Sequence, residues 1–302
     1  VAIVGATATG KTALAIEVAR KLDGEIVNAD SRQIYRRMDI GTAKPTAAEQ
    51  AAARHWLIDV VDPDEPFTLA SFLDAANAAI EDIAARGKTP IVAGGTGQYV
   101  WALLEGWSVP RVPPDHELRA NLEAVLRDEG VDALAKMLAE VDPDAATSID
   151  TRNPRRLIRA IEVTRVTGRP YSAWRTSSDP KYDANIVGLT MYRPLLYRRI
   201  DARVDAMLGG GFVAEVESLI ADGYGCDLAA MSGIGYRQIC EHLAGAYGIE
   251  AAAARMKTET HRLARMQHTW FRGDDPRIRW FDAADQAATR DALEYLQHAS
   301  RA

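Results

Sequence analysis

The chain of 302 residues is 47% hydrophobic and 26% charged, which is ordinary for a globular protein able to bury a sizeable core. No apolar run is long enough to cross a bilayer and no signal-peptide pattern opens the chain, which favours a cytoplasmic protein without a membrane anchor. A formal net charge of −6 argues against a uniformly basic nucleic-acid-binding protein. Because the chain opens inside an apolar run, we expect that a few residues precede Val1.

A glycine-rich loop at residues 5–12 separates an apolar run at residues 1–4 from an amphipathic stretch at residues 13–22. The loop matches the phosphate-loop pattern G-x-x-x-x-G-K-[ST] at every fixed position. Its residues are Gly5, Ala6, Thr7, Ala8, Thr9, Gly10, Lys11 and Thr12. The glycines allow consecutive N–H groups to face one anion, Lys11 adds a cation for the outer phosphate, and the Thr12 hydroxyl suits Mg²⁺. The loop therefore predicts a phosphorylated ligand.

Strand and helix patterns alternate along the first hundred residues. The successive strand-like and helical segments are residues 1–4, 11–22, 25–28, 69–86, 89–93 and 97–105. This alternation predicts an α/β fold, a P-loop NTPase-like and mostly parallel sheet with helices on both faces. In such sheets ligands bind at the carboxyl ends of the strands, where the loops after the predicted strands converge.

Two polar side chains stand at these strand ends. Asp30 follows the second strand and has three open roles: metal ligand, proton acceptor, or N-cap of a short helix. Thr96 lies in the turn Gly94-Gly95-Thr96-Gly97 after the third strand, where its hydroxyl can orient a substrate or cap the next helix. The residues alone leave these alternatives open.

A helical insertion interrupts the α/β pattern. Prolines 110, 113 and 114 mark its start, and the following sequence is helical and strand-poor until a strand-like run at residues 185–191. We therefore predict an insertion domain at residues 114–184, within an α/β core formed by residues 1–113 and 185–302 with its C-terminal helices. Asn153-Pro154 predicts the start of one helix in the insertion.

Basic side chains are concentrated in two regions. Residues 152–203 carry twelve arginine and lysine side chains against four carboxylates, a local charge of +8 that includes Arg175 and Asp179. A helical pattern at residues 255–272 adds a basic stripe beside an apolar one. These regions predict a polyanion-facing surface, and a solvated arginine-rich helix face is the alternative.

The two cysteines, Cys226 and Cys240, form no C-x-x-C pair and have no evident metal partners. We expect them to be small buried thiols.

Several segments occur in an order that resembles the tRNA dimethylallyltransferase family, also called the tRNA isopentenyltransferase or IPP transferase family. They are the phosphate loop and residues 29–35, 38–45, 55–60, 94–97, 155–163, 203–207, 234–238 and 263–272. The stretch Asp39-Ile40-Gly41-Thr42-Ala43-Lys44-Pro45 is far more specific than the phosphate loop. The resemblance spans essentially the whole chain and implies a bacterial-type enzyme, because the C-terminal zinc finger of eukaryotic members is absent. For the oligomeric state, a monomer is the default expectation.

The resemblance implies transfer of a dimethylallyl group from dimethylallyl diphosphate to N6 of the adenosine adjacent to the anticodon. Lys11, Thr12 and Arg203 would hold the diphosphate with the rest of the loop, and Mg²⁺ would bridge it. Asp30 would accept the N6 proton and Thr96 would contact the substrate. The residues that match tRNA-contact positions of the family are Asp30, Ser31, Arg32, Gln33, Thr96, Arg119, Arg155, Arg156, Leu157, Ile158, Arg159, Ser232, Gly233, Ile234, Gly235, Tyr236, Arg237, His261, Arg262, Arg265 and Gln267.

Two positions depart from the family pattern: Ala6 replaces a proline of the phosphate loop, and Met266 stands where a basic residue is common. Three other functions are compatible with the same α/β core. They are an ATP-using small-molecule kinase, a prenyltransferase acting on free adenine nucleotides, and a nucleic-acid-binding module with a relic phosphate loop.

Overall fold

The computed structural model describes residues 1–174 and 180–299. Arg175 and Asp179, which contribute to the predicted basic region, lie outside the described residues. The chain divides into two compact units, one formed by Val1–Leu104 and Tyr182–Ala302 and the other by Glu105–Lys181.

One sheet of six strands organises the described part of the first unit. Its strands are β1 (Ala2–Gly5), β2 (Gly24–Asn28), β3 (His55–Trp56), β4 (Thr89–Ala93), β5 (Ile186–Thr190) and β6 (Ile278–Asp282). The order is β3-β2-β4-β1-β5-β6, and every neighbouring pair is parallel. All four residues of β1 are buried, which explains its continuous apolar run. The predicted α/β fold is confirmed; the two-residue strand β3 was not predicted.

The described helices are α1 (Lys11–Lys21), α2 (Ala47–Ala52), α3 (Leu69–Ala85), α4 (Gly97–Leu104), α5 (His116–Glu129), α6 (Val131–Val141), α7 (Pro143–Ser148), α8 (Pro154–Thr167), α9 (Arg193–Gly209), α10 (Phe212–Ala221), α11 (Tyr236–Leu243), α12 (Ile249–Trp270) and α13 (Ala288–Ala299). None of them combines the length and the apolar character that a bilayer crossing requires. Helix α1 packs Leu14 and Val18 against Ile3, Ile26 and Ile91 of the sheet. This packing fixes the position of its N-terminus, where the glycine-rich loop ends.

The second unit consists of α5 to α8, built around a core that includes Leu122, Leu138 and Leu157. Helix α8 begins at Pro154 as predicted, and the Asn153 side chain accepts a hydrogen bond from the backbone of its first turn. The unit starts at Glu105, whereas the sequence predicted a start at residue 114. Part of the intervening segment is held by Arg159, which donates hydrogen bonds to the carbonyls of Pro110 and Val112.

Two local predictions were wrong. Cys226 and Cys240 form a disulfide rather than two separate buried thiols; Cys226 is exposed, and its Cα lies 5.9 Å from that of Cys240 on α11. The pairing depends on how the chain folds back onto α11, which the spacing alone does not reveal. The basic stripe also ends early, because α12 stops at Trp270 and Arg272 pairs instead with Asp274.

Candidate active site

The glycine-rich loop curls between β1 and α1. Gly5 has φ +139°, and a Cβ there would lie 2.4 Å from the carbonyl oxygen of Leu189 on β5, so no side chain fits. Gly10 is the N-cap of α1 with φ 96°, and no side chain caps the helix. Thr9 Oγ1 and Lys11 Nζ each donate a hydrogen bond of 2.8 Å to the Ala6 carbonyl. The loop is thus closed by its own side chains, and the first N–H groups of α1 remain without a side-chain cap, as an anion site requires.

Three charged groups converge beside this loop. Burial lowers the pKa of Lys11 to about 8, while nearby Asp30 raises it and nearby Arg203 lowers it. Burial, and then the charge of Arg199, lower the pKa of Arg203. Within residues 1–174 and 180–299, neither Arg203 nor Asp30 forms an ion pair within 4.0 Å. Lys11 and Arg203 therefore lie in partly desolvated positions, an arrangement suited to binding a polyanion.

Thr12 lies in the first turn of α1 beside the cradle, and its hydroxyl makes no hydrogen bond to another described residue. Among the described side chains there is no cluster of three histidine, cysteine, aspartate or glutamate residues suited to a metal. The free hydroxyl fits a Mg²⁺ ion carried mainly by phosphate oxygens and water, which is how this ion is commonly held with phosphate ligands.

Asp30 occupies a tight turn after β2. Its Oδ1 accepts a hydrogen bond of 2.8 Å from the backbone N–H of Arg32. No helix begins at Asp30 in the structure, so the N-cap alternative is wrong. Thr96 lies just before α4, where its hydroxyl accepts a hydrogen bond of 3.1 Å from the backbone N–H of Ser31. The structure thus brings Asp30 and Thr96 to adjacent turns at the carboxyl ends of β2 and β4.

The remaining residues of the Asp30–Gln33 segment are held by long-range contacts. Arg32 donates hydrogen bonds to the carbonyls of Ala229 and Ala230, and Gln33 donates to those of Thr42 and Ala43. The Arg32 guanidinium is therefore anchored beside the predicted RNA segment at residues 232–237.

Only part of that segment is accessible. Ser232 and Arg237 are exposed and Ile234 is half-buried, whereas the glycines at positions 233 and 235 are buried. Tyr236 is 1% exposed, and its hydroxyl donates to Glu215. The predicted RNA contact of Tyr236 is therefore not available to its side chain in this conformation.

Helix α12 presents Arg262 and Arg265 to solvent, and Arg265 donates a hydrogen bond of 2.9 Å to the hydroxyl of Tyr197. His261 stacks on the ring of Tyr197 with centroids 4.0 Å apart, and its Nε2 lies 2.9 Å from Asp201 Oδ1. Gln267, by contrast, is only 8% exposed. The helix thus has an accessible basic edge and a buried polar residue on its inner face.

In the second unit, Arg155 and Arg156 of α8 are exposed, whereas Leu157 and Ile158 lie in the core. Arg159 is half-buried. The helix therefore presents two exposed guanidinium groups, which form no ion pair with another described residue, and buries the apolar residues of the predicted RNA segment.

Arg119 and Arg159 share one buried partner, Glu162, which is 0% exposed. Arg119 contacts both carboxylate oxygens at 2.7 and 2.9 Å, and Arg159 adds a contact of 2.6 Å. Burial raises the pKa of Glu162, but the hydrogen bonds from the two arginines outweigh it, so the pKa lies below its ordinary value.

Sequence reasoning missed two buried charged residues, Lys44 in the first unit and Glu162 in the second. The Lys44 side chain is 3% exposed and reaches Asp39 at 2.5 Å, Asp59 at 2.6 Å and the carbonyl of Tyr35 at 2.9 Å. Lys44 stands among apolar and small residues in the specific stretch 39–45, which was a usable signal that it is buried. A buried lysine in turn requires charged or polar partners. Glu162 was identifiable only as the single acid among the arginines of α8.

Comparisons with known proteins identify the family of the chain. The model of the IPP transferase family matches residues 33–274. A protein named tRNA dimethylallyltransferase from a Roseiflexus species is 53% identical over 272 residues, which cover 90% of this chain and 89% of that protein. Its namesake from Thermomicrobium roseum is 47% identical over 301 residues, covering 100% and 91% of the two chains.

Two solved structures are similar in fold and sequence. The full-length tRNA isopentenylpyrophosphate transferase of Bacillus halodurans is 38% identical, with a TM-score of 0.73 and coverage of 98% of this chain and 95% of that one. A eukaryotic dimethylallyltransferase acting on tRNA is 28% identical, with a TM-score of 0.79 and coverage of 98% and 77%. The chain therefore belongs to the IPP transferase family.

Proposed function

We propose that this protein transfers a dimethylallyl group from dimethylallyl diphosphate to N6 of the adenosine adjacent to the anticodon in tRNA, releasing diphosphate. The names of the relatives support this substrate pair. The observation that carries the proposal is the position of Lys11, which bonds the Ala6 carbonyl of the loop and feels the charges of Asp30 and Arg203. The helix that carries Arg203 packs through Ile200 against Ala6 and Ala8 of the same loop. All these groups lie on one chain, so we propose that it acts as a monomer.

The cradle is suited to a departing diphosphate. As the C1–O bond of the donor breaks, its electron pair leaves with the diphosphate, whose negative charge grows. The N–H groups of the loop and the cations of Lys11 and Arg203 stabilise this charge more strongly in the transition state than in the ground state. When bound through the diphosphate and the Thr12 hydroxyl, Mg²⁺ would supply further neutralisation of the same charge.

Asp30 is suited to accept the proton. An exocyclic amine is a weak nucleophile because its lone pair is delocalised into the purine ring. As the N6–C1 bond forms, the N6 proton passes to Asp30, a contribution that is typically worth ~10²–10⁴-fold in rate. One oxygen of Asp30 is occupied by the Arg32 N–H, which leaves the other for the amino group.

The adenine must leave its stack to reach Asp30, which costs a few kcal/mol. Exposed cations can offset this cost by gripping the RNA backbone. In the first unit, Arg262 and Arg265 supply such cations, and in the second unit Arg155 and Arg156 do so.

One assay separates the candidate functions. The protein is incubated with labelled dimethylallyl diphosphate, Mg²⁺ and either unmodified tRNA, AMP or ATP. We expect label in tRNA alone. Label in AMP but not in tRNA would instead identify a prenyltransferase of free nucleotides, and ATP consumption without transfer of label would identify a kinase.

A further inference from the structure

Gln267 joins two loops of the candidate site through its side-chain amide. Its Oε1 accepts a hydrogen bond of 2.8 Å from the backbone N–H of Thr7 in the phosphate loop. Its Nε2 donates a hydrogen bond of 2.9 Å to the carbonyl of Gly95, in the turn that precedes α4. The amide is thus used at both ends, inside a site where an unpaired polar group is costly.

The Gly95 turn is shaped to receive this amide. A Cβ at position 95 would lie 2.3 Å from Gln267 Nε2, so a larger residue would displace the amide. One turn of α12 further on, Trp270 packs so closely on Gly97 that a Cβ there would lie 2.3 Å from the Trp270 side chain. The carbonyl of Trp270 also accepts a hydrogen bond of 2.8 Å from Trp101 Nε1. Helix α12 is therefore docked on the start of α4, with Gln267 aimed at the phosphate loop.

The turn transmits this contact toward Asp30. Thr96 follows Gly95, its backbone N–H donates to the carbonyl of Ala29 at 3.3 Å, and its hydroxyl accepts from the N–H of Ser31. Both residues that flank Asp30 are thus bonded to Thr96. A continuous path of hydrogen bonds runs from Thr7 through Gln267 and the 95–96 turn to the segment that holds Asp30.

We infer that Gln267 is a positioning residue that sets the spacing between the diphosphate cradle and the carboxylate of Asp30. Prenyl transfer needs the leaving diphosphate and the proton acceptor on opposite sides of one carbon–nitrogen contact, where a displacement of about 1 Å costs ~10²-fold in rate. The inference rests on the proposed function for its effect on rate. Its predicted effect on pyrophosphate binding by the loop follows from the hydrogen-bond geometry alone.

This role differs from the RNA contact that the family resemblance implies for Gln267. The side chain is 8% exposed and both of its polar groups are already paired within the protein. Its neighbours Arg265, Met266, His268 and Thr269 are exposed to solvent instead.

The variant Gln267→Met keeps the length of the side chain and removes both hydrogen bonds. Asn77→Leu is the matched control, since Asn77 also bridges two partners, the carbonyl of Leu73 and the hydroxyl of Tyr182, on the remote helix α3. Calorimetry with inorganic pyrophosphate and Mg²⁺ should give about tenfold weaker binding for Gln267→Met, as expected for a loop that loses one anchoring hydrogen bond. The affinity for tRNA should stay within about threefold of wild type, because no RNA contact is removed. The control should change neither affinity.

The rate is the second measurement. With saturating tRNA and dimethylallyl diphosphate, kcat of Gln267→Met should fall ~10²-fold, whereas that of the control should stay near wild type. Gly95→Ala displaces the same amide without altering Gln267 and should reproduce both effects, which keeps the test valid if Gln267→Met does not fold.

Pyrophosphate affinity and kcat at wild-type levels would overturn the inference. So would a loss of tRNA affinity as large as the loss of pyrophosphate affinity, because that result would make Gln267 an RNA contact. If the wild-type protein transfers no dimethylallyl group to tRNA, the proposed function fails, and the pyrophosphate comparison still decides the role of Gln267 in the cradle.

Discussion

Arg86, at the end of α3, donates two hydrogen bonds of 2.5 and 2.7 Å to the buried carboxylate of Glu25, near the start of β2. Glu25 is 3% exposed and also accepts a hydrogen bond from Trp56 Nε1. The hydrogen bond from Arg86 is the main reason why the pKa of Glu25 falls to about 2, against the opposing effect of burial. This pair secures the strand that leads to Asp30.

Replacing Arg86 by methionine should therefore destabilise the fold. We expect Arg86→Met to lower the free energy of unfolding at neutral pH, because it leaves the buried Glu25 carboxylate without its main hydrogen-bond partner. A carboxyl with a depressed pKa contributes stability above its unfolded pKa, and this contribution is lost as the pH falls through the folded value. The difference from wild type should therefore shrink as the pH is lowered from about 5 to about 2. Denaturant unfolding at several pH values measures it.

Arg20→Met is the control for this prediction. Arg20 forms an exposed pair with Glu17 at 3.3 Å, and its removal should cost less than about 0.5 kcal/mol. An equal loss of stability in the two variants would contradict the prediction.

Lys11 should make diphosphate binding sensitive to alkaline pH. Burial lowers its pKa to about 8, so the side chain is charged at neutral pH and loses its proton as the pH rises. A bound polyanion favours the charged form, and we expect affinity for pyrophosphate to fall about tenfold between about pH 7 and about pH 9. Lys11→Arg keeps its charge over this range. Calorimetry measures the affinity of both proteins, and the effect of pyrophosphate ionisation cancels in the comparison because it is the same for both. Identical pH profiles of wild type and Lys11→Arg would refute the assignment of the pH dependence to Lys11.

Asp30→Asn tests the proton acceptor. The substitution keeps the side-chain oxygen that accepts from the Arg32 N–H and removes the basicity of the carboxylate. We expect turnover to fall at least ~10²-fold while pyrophosphate affinity stays within about threefold of wild type. Asp64→Asn, at an exposed site, should leave both unchanged. An equal loss of turnover and pyrophosphate binding would identify Asp30 as a metal ligand instead.

The arginines of α8 should divide into two classes. Arg155 is exposed, so Arg155→Gln should reduce the salt dependence of tRNA binding by about one unit of slope and leave stability unchanged. Arg159 pairs with the fully buried Glu162, so Arg159→Gln should also cost about 2 kcal/mol of stability. Filter binding across salt concentrations and denaturant unfolding measure the two effects. Equal stability of the two variants would show that the Glu162 pair contributes nothing.

The Cys226–Cys240 bond should stabilise the protein. The bond closes a loop between cysteines that are 14 positions apart. Restricting the unfolded chain by a loop of this size stabilises the folded state by about 3 kcal/mol. Adding a reductant should lower the free energy of unfolding by about that amount in the wild-type protein and by nothing in Cys226→Ser. A response to reductant in the variant would show that the effect arises elsewhere.

The fold was largely predictable because its signals are local. The glycine loop, the buried strands and the Asn153-Pro154 helix start each depend on adjacent residues. Helix α2 was not predicted, although the capping box of Thr46 and Glu49 indicates its start. Its six residues are too few to form a clear periodic pattern.

The less predictable features join residues that are distant in the sequence. Gln267 contacts a loop 260 positions earlier, and Glu162 contacts Arg119 across 43 positions. An amide or a carboxylate in a helix gives no sign of which remote partner it meets, because that choice is made by packing. The Cys226–Cys240 disulfide joins residues only 14 positions apart, but its formation also depends on how the intervening chain packs.

The contact between Gly5 and the carbonyl of Leu189 has a consequence for how the protein is assembled. One wall of the phosphate cradle is β5, which the ribosome produces only after the whole helical insertion. An N-terminal fragment that ends before Ile186 contains every letter of the phosphate signature but not the surface against which Gly5 is pressed. The phosphate recognition proposed for this loop would therefore arise late in synthesis, because the nascent βα unit alone lacks one wall of the cradle.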